Sequence, residues 1–318
     1  MSSLFSLHGY YDNPGAGRRE TRHRRAGVVR VRLPERKTRG IDTLVFDLQD
    51  IGCRSYTYIS TMGKCMEAAA ENEIQFVVLD RPNPLGGLRA EGPLIEPQWI
   101  SFVGAFPVPY VHGMTCGELA LMINNKGWIK GRCNLHIVPM RGWTRNFTWN
   151  ETGLRWIRTS PNIPRWNSPH YYVATGLIGE LHGPETGVGG SRPFEIIAAR
   201  GVSASTFTNY MNSQRLNGVT FSEYRGGSGG GSYLHIEPDA SANLTAINIY
   251  ALAEMNRELR TNLIARSSRG KRDMFFKCYG SASIQSELAR GNGPAAIVAG
   301  WADDVAHFKS ERKEYLLY

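Results

Sequence analysis

The chain has 318 residues, of which 42% are hydrophobic and 20% charged, and its formal net charge is +9. This apolar content is enough for one large domain or two ordinary ones, and it excludes a chain that is disordered throughout. The sequence has neither the 18 to 20 apolar residues in a row that a membrane span needs nor the layout of a signal peptide, so it predicts a soluble globular protein and leaves its localisation open.

The first segment of the chain carries most of the positive charge. Residues 15–40 hold ten Lys/Arg and two Glu, so the other 292 residues have a net charge of only +1. A nucleic-acid-binding face would spread its basic residues and interleave aromatic ones, and this segment has no aromatic residue. We therefore interpret residues 1–40 as a divergent basic segment and expect no nucleic-acid partner. A polyanion-binding arm is the alternative.

From residue 41 the pattern predicts an α/β fold. Residues 43–49 and 75–79 are typical of buried strands, with a helix from 58 to 71 between them. Such a unit of about 40 residues predicts parallel strands joined by a right-handed crossover. A capping box at Thr115 and Glu118 predicts the next helix, and residues 135–139 and 192–198 predict further strands. Residues 143–169, with four Trp and three Pro, predict a long ordered excursion over the sheet.

A second domain is predicted from about Gly201. Residues 233–236 indicate a strand, 244–259 a helix, and 297–308 a final helix, while the run 226–232 is typical of a flexible loop. We expect a Rossmann-like parallel-sheet domain over residues 41–200 that carries the cleft, and a smaller α+β C-terminal domain over 201–318.

Cofactor and metal motifs are lacking in the sequence. The five cysteines form no CxxC pair, which argues against a zinc site or a disulfide scaffold, and no GxGxxG follows a strand. We expect neither a metal nor an organic cofactor.

Polar residues follow both predicted strands of the first βαβ unit. Asp47 and Asp50 close the first strand, and Asp80, Arg81 and Asn83 follow the second. Ligands bind outside the carboxyl ends of parallel strands, so we expect these side chains in one cleft. Further candidates come from the neighbouring segments: Arg54, Tyr56, Tyr58, Glu91 and His112.

Each candidate also has a structural interpretation. A buried Asp47 needs a partner, and Arg54 or Arg81 could neutralise it. Asp50 could cap a turn, and His112 could be satisfied by the backbone. Tyr56 and Tyr58 suit a sugar platform or a core equally.

Several of these segments resemble the exo-β-N-acetylmuramidase family, also called domain of unknown function 1343. The similar segments are residues 46–58, 79–87, 91–93, 112–118, 160–162, 192–195 and 312–318. The resemblance runs from Ile41 to Tyr318. It implies a Rossmann-like domain with the active cleft, a smaller C-terminal domain, and removal of N-acetylmuramic acid from non-reducing ends of peptidoglycan fragments.

The N-terminus departs from the family pattern. Residues 4–9 resemble a family segment that contains Pro-Glu-His-Gly, but no glutamate stands between Leu7 and His8. The arginine-rich stretch 18–39 matches nothing in the family. Because that glutamate is a catalytic candidate, we expect poor hydrolysis with retained sugar binding. The alternatives are a non-catalytic sugar-binding relative and, less favoured, a polyanion-binding protein.

The predicted site therefore combines residue reasoning with the resemblance. Asp47 and Glu91 are expected nearest the reaction centre, with Arg54, Arg81 and Asn83 holding the lactyl carboxylate or N-acetyl group. The catalytic candidates are Asp47, Asp50, Glu91 and His112. The substrate-binding candidates are His8, Arg54, Tyr56, Tyr58, Asp80, Arg81, Asn83, Asn162 and Arg192. The oligomeric state is left open.

Overall fold

A four-stranded parallel sheet organises the first half of the chain. The computed structural model describes residues 4–6, 40–226 and 229–318, the first of these ranges by its backbone. The strands are β1 (Leu4–Ser6), β2 (Thr43–Phe46), β3 (Gln75–Leu79) and β4 (Asn134–Val138). They pair in that order, all in parallel, with Val45 opposite Val77 and Val77 opposite His136. The predicted βαβ unit is confirmed.

Two helices cover one face of this sheet. Helix α1 (Tyr58–Glu71) places Ile59, Met62 and Met66 in the core, and α2 (Cys116–Asn125) adds Leu119 and Ile123. They pack with Leu44 and Phe46 of β2 and with Phe76 and Val78 of β3 in one apolar cluster. The capping box at the start of α2 is formed as predicted, with both of its hydrogen bonds present.

The excursion after β4 runs over the carboxyl edge of the sheet. It contains one 3-10 turn (Asn150–Thr152) and leads into helix α3 (Ser168–Thr175) and a second 3-10 turn (Ile178–Glu180). The indole rings of Trp149 and Trp156 meet edge to face at 4.8 Å, and each indole N–H donates to a backbone carbonyl. These contacts order a segment that has little regular structure.

An antiparallel sheet organises the second half. Its strands are β5 (Pro184–Glu185), β6 (Ile196–Ala199), β7 (Val219–Arg225) and β8 (Gly230–Ile236), in the spatial order β5-β6-β8-β7. The strand predicted over 192–198 is thus β6, and it belongs to this sheet and not to the parallel one. The predicted flexible loop is shorter than expected, since β8 begins at Gly230. The domain boundary near Gly201 stays a prediction.

Helices pack around the antiparallel sheet. They are α4 (Ala204–Ser213), α5 (Leu244–Glu258), α6 (Leu263–Arg266), α7 (Arg269–Tyr279), α8 (Ser283–Ala289), α9 (Pro294–Ala299) and α10 (Ala302–Glu311), followed by a 3-10 turn (Arg312–Tyr315). The final helix expected over 297–308 is in fact two helices, because the chain breaks at Gly300 and Trp301. The α/β fold with a second α+β unit is confirmed. Among the described residues, no helix is long and apolar enough to span a membrane.

One buried arginine joins the two halves. Arg54 is 0% exposed, and its guanidinium donates to the carbonyls of Pro93 and Val108 in the first half and of Cys278 and Tyr279 in the second. A buried cation needs such acceptors because it has lost its water. Arg54 therefore fixes how the two halves meet.

Candidate active site

A cavity of about 540 Å³ opens at the carboxyl ends of the parallel strands. This is where ligands bind in open α/β sheets. Its wall includes charged residues that directly follow β2 and β3 and aromatic residues from the excursion. Its charged and aromatic lining residues are Asp47, Asp80, Arg81, Arg141, Trp143, Phe147 and Glu151. We refer to this cavity as the cleft.

Asp47 and Arg81 face each other in the cleft as an ion pair. The Arg81 Nε donates to Asp47 Oδ1 at 2.7 Å, and Nη2 lies 2.6 Å from the same oxygen. Both side chains keep partial exposure, 23% for Asp47 and 37% for Arg81. The meeting of the two strand ends is as predicted, and Arg81 is the partner that Asp47 was expected to need.

Asp80 is held by four donors. Its Oδ1 accepts from the backbone N–H groups of Arg81 and Gly117, and its Oδ2 from the hydroxyls of Thr115 and Tyr318. Burial raises the pKa of Asp80, and these hydrogen bonds oppose the rise. Asp80 thereby ties the end of β3 to the first turn of α2, and its oxygens already have partners.

Asp50 lies beside the cleft but is 6% exposed. Its Oδ2 accepts from the N–H of Gly52, whose φ of +78° favours glycine and whose Cα lies close to Asn83. Asp50 Oδ1 and the Oε1 of Gln49 are buried and have no hydrogen-bond partner among the described residues. Burial raises the pKa of Asp50 to about 7. A small void of about 10 Å³ that borders both residues also touches Arg81.

Glu91 lies in a different cavity, which is a correction to the prediction of one shared cleft. This second cavity, of about 460 Å³, is lined by Glu91, Arg89 and His170 and shares Glu151 with the cleft. Glu91 pairs with Arg89 and accepts from the N–H and hydroxyl of Thr245. Its carboxylate joins the two halves of the chain and has its partners within the protein.

Three further candidates are buried and bonded to the backbone. Arg54 donates to four carbonyls, so it is not free to hold a substrate carboxylate. Asn83 is 3% exposed, accepts from Leu85 N and donates to Met114 O. His112 is 0% exposed, its Nδ1 accepts from Met114 N, and burial lowers its pKa to about 3. The structure does not place these residues in contact with the cleft, and His112 stays uncharged at neutral pH.

The remaining candidates lie elsewhere. The hydroxyls of Tyr56 and Tyr58 both donate to Thr159, at the far end of the excursion. Arg192 pairs with Glu195 and lies over the ring of Tyr233 at 4.7 Å. Asn162 accepts from Gly189 N at 3.4 Å. His8 lies outside the described residues.

Sequence reasoning missed four residues of the cleft: Arg141, Trp143, Phe147 and Glu151. All lie in the excursion that follows β4. The hydroxyl and N–H of Thr148 donate to Glu151 and lower its pKa, so this carboxyl stays ionised. The cluster of tryptophans was the available signal, but it does not reveal which residues of an irregular segment point inward. Among the described residues, no group of three or more His, Cys, Asp or Glu is arranged to hold a metal ion.

Two family models together match most of the chain. The model described as exo-β-N-acetylmuramidase NamZ, N-terminal, matches residues 29–167, and the corresponding C-terminal model matches residues 170–318. The chain belongs to the exo-β-N-acetylmuramidase family. The match begins at residue 29, so part of the arginine-rich stretch expected to be foreign to the family lies inside it.

Individual members of the exo-β-N-acetylmuramidase family are similar over most of their length. The chain is 36% identical over 289 residues to the peptidoglycan β-N-acetylmuramidase NamZ of Bacillus subtilis (strain 168), covering 88% of this chain and 68% of that protein. Two crystal structures of DUF1343 family proteins from Bacteroides fragilis NCTC 9343 share its fold. One has a TM-score of 0.85 at 39% identity, covering 90% of this chain and 77% of its own. The other has a TM-score of 0.69 at 28% identity, covering 89% and 77%.

Proposed function

We propose that this protein binds the terminal N-acetylmuramic acid of peptidoglycan fragments in the cleft and releases it by hydrolysis, slowly. The observation that carries the proposal is the cleft itself, which combines carboxylates, arginines and aromatic side chains at the carboxyl edge of a parallel sheet. Its family relative in Bacillus subtilis is a peptidoglycan β-N-acetylmuramidase, which supports the same substrate class.

Arginines supply the anion-binding side of the cleft. N-acetylmuramic acid carries a lactyl carboxylate, and a guanidinium fork matches the geometry of a carboxylate. Arg81 is occupied by Asp47, whereas Arg141 forms no ion pair with any residue that the structure describes. We assign Arg141 to the lactyl carboxylate, in place of Arg54 and Asn83.

The carboxyl groups explain why hydrolysis is expected to be slow. Glycoside hydrolysis uses one carboxyl group as an acid and another as a base or nucleophile. Asp47 and Glu151 both line the cleft, but the first is ion-paired and the second is kept ionised by Thr148. Asp50, whose pKa is raised to about 7, would suit a general acid, yet it is buried and does not line the cleft. The missing glutamate at the junction of residues 7 and 8 fits this lack of an accessible acid.

A chromogenic N-acetylmuramic acid glycoside tests the proposal. We expect measurable sugar binding and turnover that rises by about 10² to 10⁴ when a Pro-Glu-His-Gly segment is restored at residues 7–9, since that is the usual contribution of one general acid or base. Glu151→Gln should abolish the remaining turnover, while Glu71→Gln, an exposed carboxylate at the end of α1, serves as the matched control.

Three results would contradict parts of this proposal. Equal turnover of an N-acetylglucosamine glycoside would remove the assigned substrate. Full activity of Glu151→Gln would remove that residue from the chemistry. Binding without turnover, even after restoration of the glutamate, would favour the alternative of a sugar-binding relative that does not catalyse.

A further inference from the structure

Residues 312–318 return from the second half of the chain to the parallel sheet. The guanidinium of Arg312 donates to the carbonyl of Gly113 at 3.0 Å. The N–H of Leu317 donates to Glu118 Oε1, in the first turn of α2, at 2.9 Å. The segment is thus anchored near both of its ends, and its last side chain reaches the ends of two strands of the sheet.

The hydroxyl of Tyr318 bridges the ends of β3 and β4. As the two strands end, the N–H of Asp80 donates to the carbonyl of Val138 at 3.1 Å. Just beyond this bond, the Tyr318 hydroxyl donates to Asp80 Oδ2 and accepts from the N–H of Met140, both at 2.9 Å. The ring of Tyr318 packs edge to face against Trp143, at 5.2 Å between centroids. One side chain from the other half of the chain therefore continues the link between the two strands past their own hydrogen bonds.

Each of the two bridged residues is followed directly by an arginine of the cleft. Arg81 follows Asp80, Arg141 follows Met140, and both arginines line the cleft. Arg81 is paired with Asp47, whereas Arg141 is exposed and forms no ion pair with the residues that the structure describes. A long exposed side chain loses conformational freedom when it binds a ligand, and the loss is smaller when its backbone is already fixed. The Tyr318 bridge supplies that fixed point for Arg141.

We propose that Tyr318 is a positioning residue for recognition of the lactyl carboxylate. Its hydroxyl fixes the spacing of the backbone segments that carry Arg81 and Arg141, and this spacing determines how strongly the cleft prefers a sugar that bears a carboxylate. Tyr318 is not part of the cleft wall, so it acts through Met140 and Arg141 and not by touching the sugar. The inference rests on the proposed function, because it takes Arg141 to be the partner of the carboxylate.

The test compares N-acetylmuramic acid with its lactyl carboxamide, which has the same ring and acetamido group and differs at the lactyl carboxyl group alone. Binding of both sugars is measured by calorimetry on the full chain. The unmodified chain should prefer the acid by about tenfold, the usual worth of a charge-assisted hydrogen bond. Tyr318→Phe keeps the ring that packs on Trp143 and removes the bridging hydroxyl, so the preference should fall to about threefold while affinity for the carboxamide is unchanged.

A double-mutant cycle tests whether Tyr318 acts through Arg141. Arg141→Gln should bind the two sugars about equally, and adding Tyr318→Phe to it should change neither affinity further. Tyr315→Phe is the matched control, since this tyrosine is buried in the same segment but its hydroxyl bridges neither Asp80 nor Met140. Its preference for the acid should equal that of the unmodified chain.

The outcomes separate the inference from the proposed function. If the unmodified chain binds neither sugar, or binds both equally, the assignment of Arg141 to the lactyl carboxylate is wrong, and no variant has to fold for this to be seen. If the unmodified chain prefers the acid and Tyr318→Phe keeps the full preference, or weakens both sugars equally, Tyr318 has only a structural role. A further loss on adding Tyr318→Phe to Arg141→Gln would show that it acts by another route.

Discussion

The fold disfavours ionisation of the Asp50 carboxyl group, which lies beside the cleft. This group is buried, has one oxygen without a partner among the described residues, and has its pKa raised to about 7 by desolvation. In the unfolded chain the same group ionises near pH 4. Between these values the folded protein keeps a proton that the unfolded chain has lost, so stability falls as the pH rises from about 4 to about 7.

Asp50→Asn should remove this loss. The amide keeps an oxygen for Gly52 N–H and does not ionise, so the variant should gain stability relative to the unmodified chain as the pH rises, by on the order of 3 kcal/mol at pH 7 and above. Urea unfolding of both proteins at pH 5, 6, 7 and 8 measures the difference. A constant difference over that range would show that Asp50 titrates normally.

His112 has the opposite dependence on pH. Burial, together with the charges of Arg312 and Arg54, lowers its pKa to about 3, while the unfolded chain takes up a proton near pH 6.5. Stability should therefore fall as the pH drops below about 6.5, by roughly 2 kcal/mol at pH 5. His112→Asn keeps an acceptor for Met114 N–H and should reduce this loss.

Urea unfolding at pH 7 and pH 5 measures the effect of His112→Asn. The matched control is His136→Asn, because His136 is exposed on β4. If the two variants lose the same amount of stability on acidification, burial of His112 is not the cause, and another group must account for the acid dependence.

At the scale of elements, the sequence predicted what depends on local pattern. Strands β2 and β3 follow from short apolar runs, and helix α2 follows from its capping box, since these signals lie within a few residues of the element. The meeting of Asp47 with Arg81 followed from parallel strands alone. The meeting of polar residues at these two strand ends was therefore predictable, while their role in a site stays a prediction.

Other features depend on contacts between distant segments, and local pattern does not contain them. Strand β6 has the same apolar composition as a parallel strand, and its partner β8 lies more than 30 residues away. Glu91 lies in the connection after β3, as expected, but its carboxylate accepts a hydrogen bond from Thr245 in the second half. Arg54 was predicted to bind substrate. Its role between the two halves was missed because its acceptors are backbone carbonyls, which have no sequence signature.

At the scale of the whole molecule, Arg54 makes the two halves depend on each other. Replacing it by Met fills similar space but leaves four buried carbonyls without a donor. Removing one side of such a buried polar cluster should cost about 3–5 kcal/mol. Urea unfolding should show the loss, with Arg225→Met as the control, since that side chain is 75% exposed and should change stability by less than about 0.5 kcal/mol.

A loss near that of the control would mean that other contacts between the halves hold the interface. Sugar binding by Arg54→Met, measured below its unfolding transition, gives an independent readout. The cleft wall comes from the first half, and Tyr318 of the second half donates to Asp80 in that wall, so a loosened interface should weaken binding even where the protein remains folded.

The length of chain that separates Arg54 from its acceptors in the second half also sets the order in which these contacts form during translation. Arg54 and Cys278 are 224 residues apart. Translation at about 5–20 residues per second takes roughly 10 to 45 s to cover that distance. Once β4 has been made, the parallel sheet has all its described strands for the rest of this interval, yet the guanidinium has only two of its four carbonyls and must remain hydrated. The nascent first half is thus kept from closing around this cation until the second half has been made.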